Sequence, residues 1–350
     1  MRVSTQVKEE PYLSIVATSR NDHHGGDVLK RMRLFVSGLI AQTNRHSLPA
    51  ELILVEWNPP EDQPLLQHIL PKPEHGDFLS IKYLIVPKEI HQRYKRSTEI
   101  SLFQMIAKNV GIRRAKGEFV LCTNIDLLFS DKLFKALAAR KLRSDTFYRA
   151  NRCDVPDLID PAWDVSKQLA WCDKNIIRRL GMNTRFKNMN PEMAGFKNEN
   201  YLKQWMFNKA ARMVNLFLAE ERRKYYRADC VASGDFTLMA KTAWLDIQGY
   251  LELDLHAVHI DTLAILAALA IGYRQHVFPA EACTYHIDHT EGWESMSPLE
   301  KVRFQEQKPG IDFGLVYDLG QHILKNKRTY DLNPDNWGYS NLVFAEHTFP

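Results

Sequence analysis

The sequence is poor in several features that mark specialised classes of protein. Its 350 residues contain only five cysteines, irregularly spaced and without a CxxC pair, which argues against a disulfide framework or a zinc knuckle. The formal net charge of +4 is small for this length, so bulk electrostatics gives no case for nucleic-acid binding. The longest apolar run, residues 263–271, is too short to span a bilayer.

Two further features are missing near the N-terminus. The opening segment MRVSTQVKEEPY has no apolar stretch, so we expect no secretory signal. Together with free thiols, this predicts a cytoplasmic protein in a reducing compartment. A glycine-rich phosphate loop is also lacking, because Gly25-Gly26 with Arg20 does not form the G-x-G pattern. What remains is the composition of an ordinary globular protein, 45% hydrophobic and 25% charged.

Short apolar strands alternate with helical segments over roughly the first 140 residues. The pattern predicts strands at 13–17, 52–55, 80–86 and 118–122, and helices at 27–42 and 100–115. Such alternation is typical of an α/β fold, a mostly parallel sheet flanked by helices.

The second half is less regular. Residues 149–161 are polar and punctuated by proline, so we interpret 149–229 as a helical insertion or lid. Within it, 201–226 is a helix candidate whose basic and aromatic residues suit either peripheral membrane contact or a helix that covers the sheet. From residue 232 strands and helices resume, with an apolar helix at 260–272 capped by Gly272. Residues 291–350 are predicted to be a wrapping tail.

The most informative segment is the end of the fourth strand. There Asn124-Ile125-Asp126 follow an apolar run, at the edge where open α/β sheets bind ligands. A carboxylate at this place suits a hard cation that carries a diphosphate. The alternative is that Asp126 only caps the next turn.

The order of motifs resembles the GT-A glycosyltransferases, family 2 in particular. Residues 14–22, SIVATSRND, are similar to the nucleotide-binding loop of that family, and Glu56 stands where an acidic residue contacts the base. Residues 107–126 follow the pattern A-x-N-x-G-x-x-x-A-x-G-E, an apolar run and D-x-D, with Asn124 in place of the first aspartate. The resemblance therefore implies that the donor contacts Thr18, Arg20, Asp22, Glu56, Lys108, Asn109 and Asn124.

Three later segments continue the resemblance in the family's order. They are Ser233-Gly234-Asp235-Phe236, Gln248-Gly249-Tyr250 and Ile260-Asp261-Thr262. His286 falls where many members have a histidine that closes the metal site. The resemblance implies one GT-A (Rossmann-like) domain over 12–290, with 149–229 on the acceptor side and 291–350 as a C-terminal extension.

The implied activity is transfer of a hexosyl or related sugar from a nucleotide-diphosphate sugar to a hydroxyl of a carbohydrate or glycoconjugate acceptor. A divalent metal, Mn²⁺ or Mg²⁺, held by Asp126 and His286 would neutralise the leaving diphosphate. Asp261, at the start of an apolar helix, would take the proton of the acceptor hydroxyl, which predicts inversion at the anomeric centre. Asp235 is the competing candidate for that role.

Three other functions stay open from the residues alone. A nucleotidyltransferase would also place acidic groups around a nucleotide and Mg²⁺, but it should have the missing glycine-rich loop. A metal-dependent hydrolase could use His286, Asp288 and His289 with His23-His24. A sugar-binding protein without catalysis is the third, since Asn124 and Ile260 replace acidic residues of the family pattern. The sequence gives no prediction of the oligomeric state.

Overall fold

Two β-sheets organise the protein. The structure, a computed structural model, describes residues 10–22, 26–181, 219–289 and 309–350. The interpretations given to His23-His24 and to residues 201–218 fall outside these ranges. None of the helices within them is both long and apolar enough to cross a membrane.

The strands are bounded as follows. In chain order they are β1 (Leu13–Ser19), β2 (Ala50–Trp57), β3 (Leu79–Val86), β4 (Phe119–Thr123), β5 (Leu127–Phe129), β6 (Thr146–Arg149), β7 (Arg152–Val155), β8 (Arg178–Leu180), β9 (Phe236–Ala240), β10 (Arg274–Val277), β11 (Thr284–Ile287) and β12 (Ala345–Phe349).

The helices lie between these strands. They are α1 (Val28–Arg45), α2 (Leu66–Ile69), α3 (Lys88–His91), α4 (Gln104–Arg114), α5 (Asp131–Ala138), α6 (Val165–Lys174), α7 (Glu220–Arg227), α8 (Lys241–Asp246), α9 (Ile260–Ala270) and α10 (Phe313–Asn326), with a 3-10 turn at Trp337–Tyr339. The strands and helices predicted before residue 140 are confirmed within a few residues at their ends.

The larger sheet has eight strands in the order β10-β6-β9-β4-β1-β2-β3-β12. Strand β1 pairs in parallel with β2 and β4, β2 with β3, and β6 with β10. Strands β9 and β12 are antiparallel to their neighbours. The predicted class, a mostly parallel sheet flanked by helices, is therefore confirmed.

The strand order reverses at β1. Strands β2 and β3 extend to one side and β4 to the other, so a crevice opens beyond the carboxyl ends of β1 and β4. That carboxyl edge of the sheet is the natural place for a ligand. At the opposite end, the turn before β4 packs closely on β1, because a Cβ at Gly117 would lie 2.5 Å from the backbone nitrogen of Ser14.

A smaller sheet, in the order β5-β11-β7-β8, stands beside that crevice. Its two central strands alternate: Cys153, Val155, Tyr285 and Ile287 enter a separate apolar cluster. The residues between them, Asp154 and His286, fall on the opposite face. Residues 149–181, interpreted from sequence as an aperiodic excursion, therefore contribute β7, α6 and β8. The limits of the insertion stay a prediction.

The C-terminal segment packs along the large sheet. Strand β12 adds to the edge at β3, and α10 packs on α9. Arg114 of α4 donates hydrogen bonds to the carbonyl oxygens of Gly338, Tyr339 and Leu342, at 2.9, 2.8 and 2.8 Å. Residues 335–342 thus lie against the same helix that leads into β4.

Candidate active site

Asp126, His286 and His289 converge beside the crevice. Asp126 Oδ2 lies 2.9 Å from His289 Nε2 and 3.4 Å from His286 Nε2. The backbone nitrogen of Ile287 donates to the carbonyl oxygen of Asp126 at 2.9 Å, which fixes the start of β5 against β11. Because one potential ligand atom from each residue lies within 4.8 Å of the others, the three can hold one metal ion.

The remaining oxygen of Asp126 supports that interpretation. Asp126 Oδ1 is buried and has no hydrogen-bond partner among the described residues. A buried carboxylate oxygen without a partner is costly, so the site is better explained with a cation against it. Two imidazoles and one carboxylate form a donor set that divalent transition metals accept. The residues present therefore fit a metal ion.

The charges of this cluster stabilise one another. Burial opposes ionisation of Asp126, but the charge and hydrogen bonds of His286 and His289 hold its pKa well below the usual range. Burial likewise lowers the pKa of His286, but Asp126 outweighs it and raises that pKa to about 9. Without a metal, the pair is thus an ion pair at neutral pH, and a metal ion must displace the proton of His286.

A second carboxylate stands behind His286. Asp154 Oδ1 lies 3.2 Å from His286 Nδ1, which is the arrangement in which a carboxylate orients a metal-binding histidine. Asp154 is itself held by two arginines, since Arg152 Nε donates to Oδ1 at 2.5 Å and Arg178 Nε donates to Oδ2. Burial opposes its ionisation, yet the hydrogen bond with His286 and the charges of His286 and both arginines lower the pKa of Asp154.

Asn124 links helix α4 to Asp235. Its Oδ1 accepts from Gln104 Nε2 at 2.7 Å and from Lys108 Nζ at 2.9 Å. Its Nδ2 donates to Asp235 Oδ1 at 2.7 Å. Both ends of the amide are therefore engaged by the protein.

Asp261 and Asp235, the two candidate bases, differ in their partners and in their burial. Asp261 Oδ2 accepts from Ser233 Oγ at 2.7 Å, and Asp261 Oδ1 accepts from the backbone nitrogen of Thr262 at 3.0 Å. Asp235 is more deeply buried, 5% exposed, and its Oδ2 pairs with Arg152 at 3.0 Å. The more accessible Asp261 has no arginine against it in the described part of the chain.

Lys108 shows that the predicted carboxylates meet at one place. It is fully buried, and its Nζ also donates to the carbonyl oxygen of Gly234 at 2.8 Å. Burial lowers its pKa, while the negative charges of Asp235, Asp261 and Asp126 oppose that shift. The charges of three acidic residues from distant parts of the sequence thus act on this one buried cation.

On the β1–β2 side of the crevice, the side chains predicted to contact the donor already bond to other groups of the protein. Thr18 Oγ1 donates to the carbonyl oxygen of Val55 at 3.0 Å. Arg20 pairs with Asp22 at 3.2 Å and donates to the carbonyl oxygen of Ser101 at 3.1 Å. Glu56 is fully buried, and both its oxygens accept from the backbone nitrogen of Leu66, at 3.1 and 3.0 Å.

Asn109 makes its hydrogen bonds to a neighbouring turn of the protein. Its Nδ2 donates to Tyr250 O at 2.8 Å and to Glu252 Oε1 at 3.0 Å, and its Oδ1 accepts from the backbone nitrogen of Tyr250 at 2.8 Å. It is completely buried and holds the turn at Gly249, whose φ is 68°. The donor contacts predicted for Glu56 and Asn109 stay predictions, and each would require these bonds to open.

Sequence reasoning missed Arg152 and Asp154, and it considered His289 only for a hydrolase. The alternation R-C-D-V over residues 152–155, charged at every second position, was the available signal for a half-buried strand. Its polar face could not be assigned to the site, because Arg152 meets His286 across 134 residues of sequence.

No protein-family model matches the chain, and no curated protein matches it. Among solved structures it is similar to S. aureus TarS 1-349, at 13% identity and a TM-score of 0.42, over 90% of this chain and 71% of that one. The structure of S. aureus TarS 1-349 in complex with UDP-GlcNAc gives 13% identity, a TM-score of 0.43, and coverage of 90% and 72%. Similarity this loose carries no functional argument, so function has to be inferred from the site itself.

Proposed function

We propose that the protein is a GT-A-type glycosyltransferase that moves a sugar from a nucleotide-diphosphate sugar to an acceptor hydroxyl. The observation that carries the proposal is a hydrogen-bonded cluster at the strand-order reversal. In it the buried Lys108 donates to Asn124 and Gly234, Asn124 donates to Asp235, and Arg152 links Asp235 to His286. Ligands of open α/β sheets bind at that edge. Asp126, His286 and His289 would hold a metal ion there, and Asp235 and Asp261 would face the sugar and acceptor.

The donor set favours Mn²⁺ over Mg²⁺. Mg²⁺ prefers oxygen ligands, whereas two of the three ligand residues here are histidines. When bound, the ion would neutralise the charge that develops on the leaving diphosphate. The chain's own residues fix its position: Asp154 orients His286, and the backbone bond from Ile287 fixes Asp126.

Asp261 is the better candidate for the base. Asp235 is less available, because its Oδ2 pairs with Arg152 and its Oδ1 accepts from Asn124. Ser233 Oγ and the backbone nitrogen of Thr262 orient Asp261 and leave it more exposed than Asp235. Direct attack by a hydroxyl deprotonated at Asp261 would invert the anomeric centre, and a product that retains the donor configuration would contradict this assignment.

The test of the proposal is thermal stabilisation by UDP, GDP, ADP and CDP, each with and without Mn²⁺. A bound ligand raises the melting temperature by mass action. We expect one nucleotide to give a Mn²⁺-dependent shift that Asp126→Ala abolishes and Asp261→Asn retains. The Asp261→Asn variant should then release nucleoside diphosphate from the matching nucleotide sugar at least about 100-fold more slowly than the wild type.

A metal-dependent hydrolase is the second candidate, and one observation favours it. Asp126, His286 and His289 supply three convergent ligands, the number that hydrolytic zinc sites use together with an open position. Stabilisation by Zn²⁺ or Mn²⁺ without a response to any nucleotide would favour this function over glycosyl transfer. A nucleotide response that requires the metal would exclude it as the main activity.

A further inference from the structure

A basic cavity lies at the β10 edge of the large sheet, and its lining shares no residue with the candidate active site. It has a volume of about 430 Å³ and is enclosed by α7, the end of α9 and strand β10. Its charged lining consists of Glu220, Arg223, Lys224 and Arg227, all on α7. Three cations and one carboxylate therefore surround the space, and an excess of positive charge remains.

Contacts within the protein fix the position of α7 and hence the shape of the cavity. Gln275 of β10 accepts from the backbone nitrogen of Asp229 at 2.7 Å and donates to the carbonyl oxygen of Arg227 at 3.3 Å. On the side that faces α10, the rings of Tyr225 and Tyr317 meet edge to face, with their centroids 4.9 Å apart. The helix is thus held from two sides, and the cavity is formed without a ligand.

The two arginines of this lining lack acidic partners. Lys224 Nζ pairs with Glu220 Oε1 at 3.1 Å, but no ion pair of Arg223 or Arg227 occurs in the described part of the chain. Arg223 and Arg227 are four residues apart, so they lie on one face of the helix and repel each other. An anion bound between them would replace this repulsion by attraction.

We propose that this cavity is a binding site for a phosphate-type anion. Guanidinium groups present parallel N–H donors that match the oxygen atoms of a phosphate, and such charge-assisted hydrogen bonds are strong. Arg223 and Arg227 hold the anion between them, and Lys224 adds a third positive charge. Ala228 and Leu269 provide an apolar part of the lining, which accommodates the organic part of a phosphate ester. The site does not depend on the proposed glycosyl transfer.

Two sources can supply such an anion, a soluble phosphate ester and the headgroup of an anionic lipid. Tyr226, the residue before Arg227, is 52% exposed. Basic side chains together with an exposed aromatic ring suit the surface of an anionic membrane. The charge and the oxygen atoms that the arginines recognise are the same in both cases, so the two sources are separated by experiment.

The first arm of the experiment measures the melting temperature of the full chain as inorganic phosphate replaces chloride at constant ionic strength. A chelator is present, so that no metal ion contributes. Bound phosphate raises the melting temperature by mass action. Arg223→Gln and Arg227→Gln should each weaken phosphate binding at least about fivefold, because each loses a charge-assisted hydrogen bond. The double variant should keep only the general stabilisation that phosphate gives by exclusion from protein surfaces.

Arg222→Gln is the matched control. Arg222 is an exposed arginine of the same helix and lies outside the lining of the cavity. This variant should bind phosphate as wild type does, with circular dichroism to verify the fold of every variant. An unchanged phosphate response in the double variant, or a loss in Arg222→Gln equal to that in Arg223→Gln, would overturn the proposal.

The second arm is cosedimentation with vesicles of phosphatidylcholine, with and without phosphatidylglycerol. Retention on the vesicles with phosphatidylglycerol, lost in the double variant, would assign the cavity to a lipid headgroup. A response to inorganic phosphate without retention on vesicles would assign it to a soluble phosphate ester. If wild type shows neither a phosphate response beyond that of the double variant nor retention on vesicles, the cavity is no anion site.

Discussion

Carboxylates on the two sides of the crevice lie in different environments. On the β1–β2 side, Glu56 is fully buried and both its oxygens accept from one backbone nitrogen, that of Leu66. On the small-sheet side, Asp126 is partly buried, has two histidines at one oxygen, and has no partner in the described chain at the other. Both follow apolar strand segments, so the same sequence pattern led to two different environments.

Their pKa values diverge for the same reason. Burial raises the pKa of Glu56 to about 7, with only the Leu66 backbone bond opposing it. Burial also acts on Asp126, but the neighbouring histidines hold its pKa well below the usual range. A carboxylate that stays ionised and keeps one oxygen unbonded is prepared for a ligand, whereas Glu56 is prepared to hold a loop.

The largest effect is expected from Asp126→Asn. The amide keeps the size of the side chain but removes its charge from the metal site. We expect the Mn²⁺ affinity to fall at least about 100-fold, more than the usual loss from an outer-shell change. The measurement is a Mn²⁺ titration of folded protein, with circular dichroism to verify the fold.

Asp131→Asn provides the control for that loss. Asp131 also pairs with a histidine, His46 at 3.0 Å, and with Arg45 at 3.2 Å, but on α1 and α5. This variant should bind Mn²⁺ as wild type does. Unchanged Mn²⁺ affinity in Asp126→Asn would place the metal elsewhere and remove the contrast with Glu56.

The next effect is on stability and comes from Glu56→Gln. The pKa of Glu56 is about 7 in the folded protein and near 4.5 unfolded, so folding takes up a proton between these values. The stabilising contribution of the protonated form is complete below about pH 4.5 and is lost as the pH rises through 7. Above pH 7 the ionised group costs up to about 3 kcal/mol. Glu56→Gln should therefore raise the urea-unfolding midpoint at pH 8.5 and change it little at pH 4.5.

The nucleotide affinity of Glu56→Gln distinguishes two roles of Glu56, holding the backbone at Leu66 or contacting the base of the nucleotide. If Glu56 only holds Leu66, Glu56→Gln should alter the affinity for the preferred nucleotide by less than about twofold. A loss of more than about tenfold at unchanged stability would show that Glu56 contacts the base, as the family resemblance implies. The two sides of the crevice would then both be ligand sites.

The comparison also shows which features of the fold and of the site can be predicted from the sequence. Strand ends and helix starts follow from local apolar periodicity, which is why Asp126 could be placed at the edge of a sheet and Asp261 at the start of an apolar helix. The small sheet depends on register between segments far apart, with His286 opposite both Leu127 and Asp154. No local pattern encodes that pairing, so the contacts of Arg152 and Asp154 could not be derived.

The same limit applies to the functional side chains themselves. Whether a polar residue at a strand end faces a ligand or its own chain depends on partners that only the fold supplies. The donor contact of Asn109 stays a prediction, since the turn at Tyr250 uses both ends of its amide and these bonds would have to open. Burial and hydrogen-bond satisfaction separate such residues from Asp126, and neither is visible in the sequence.

A smaller effect is expected from Asn124→Asp, which restores the aspartate of the family pattern. The new carboxylate would lie about 2.7 Å from Asp235 Oδ1 and replace a hydrogen bond by repulsion, partly offset by Lys108. We expect a loss of about 1–2 kcal/mol in unfolding free energy at pH 8. Mn²⁺ affinity should change by less than about threefold, whereas a gain above about tenfold would make position 124 a ligand.

The smallest effect is expected from Arg20→Gln, on the β1 side. Arg20 is 15% exposed and pairs with Asp22 at 3.2 Å, an ion pair worth at most about 1 kcal/mol. If the loop after β1 meets the nucleotide, removing this cation should weaken nucleotide binding about threefold, because one charge next to a diphosphate is partly screened by solvent. Isothermal titration calorimetry at low and high salt measures the nucleotide affinity and its screening by salt. Arg45→Gln is the control, because Arg45 on α1 also pairs with an aspartate. An equal affinity for wild type and Arg20→Gln at low salt would confine ligand contacts to the small-sheet side, which is the sharpest form of the contrast between Asp126 and Glu56.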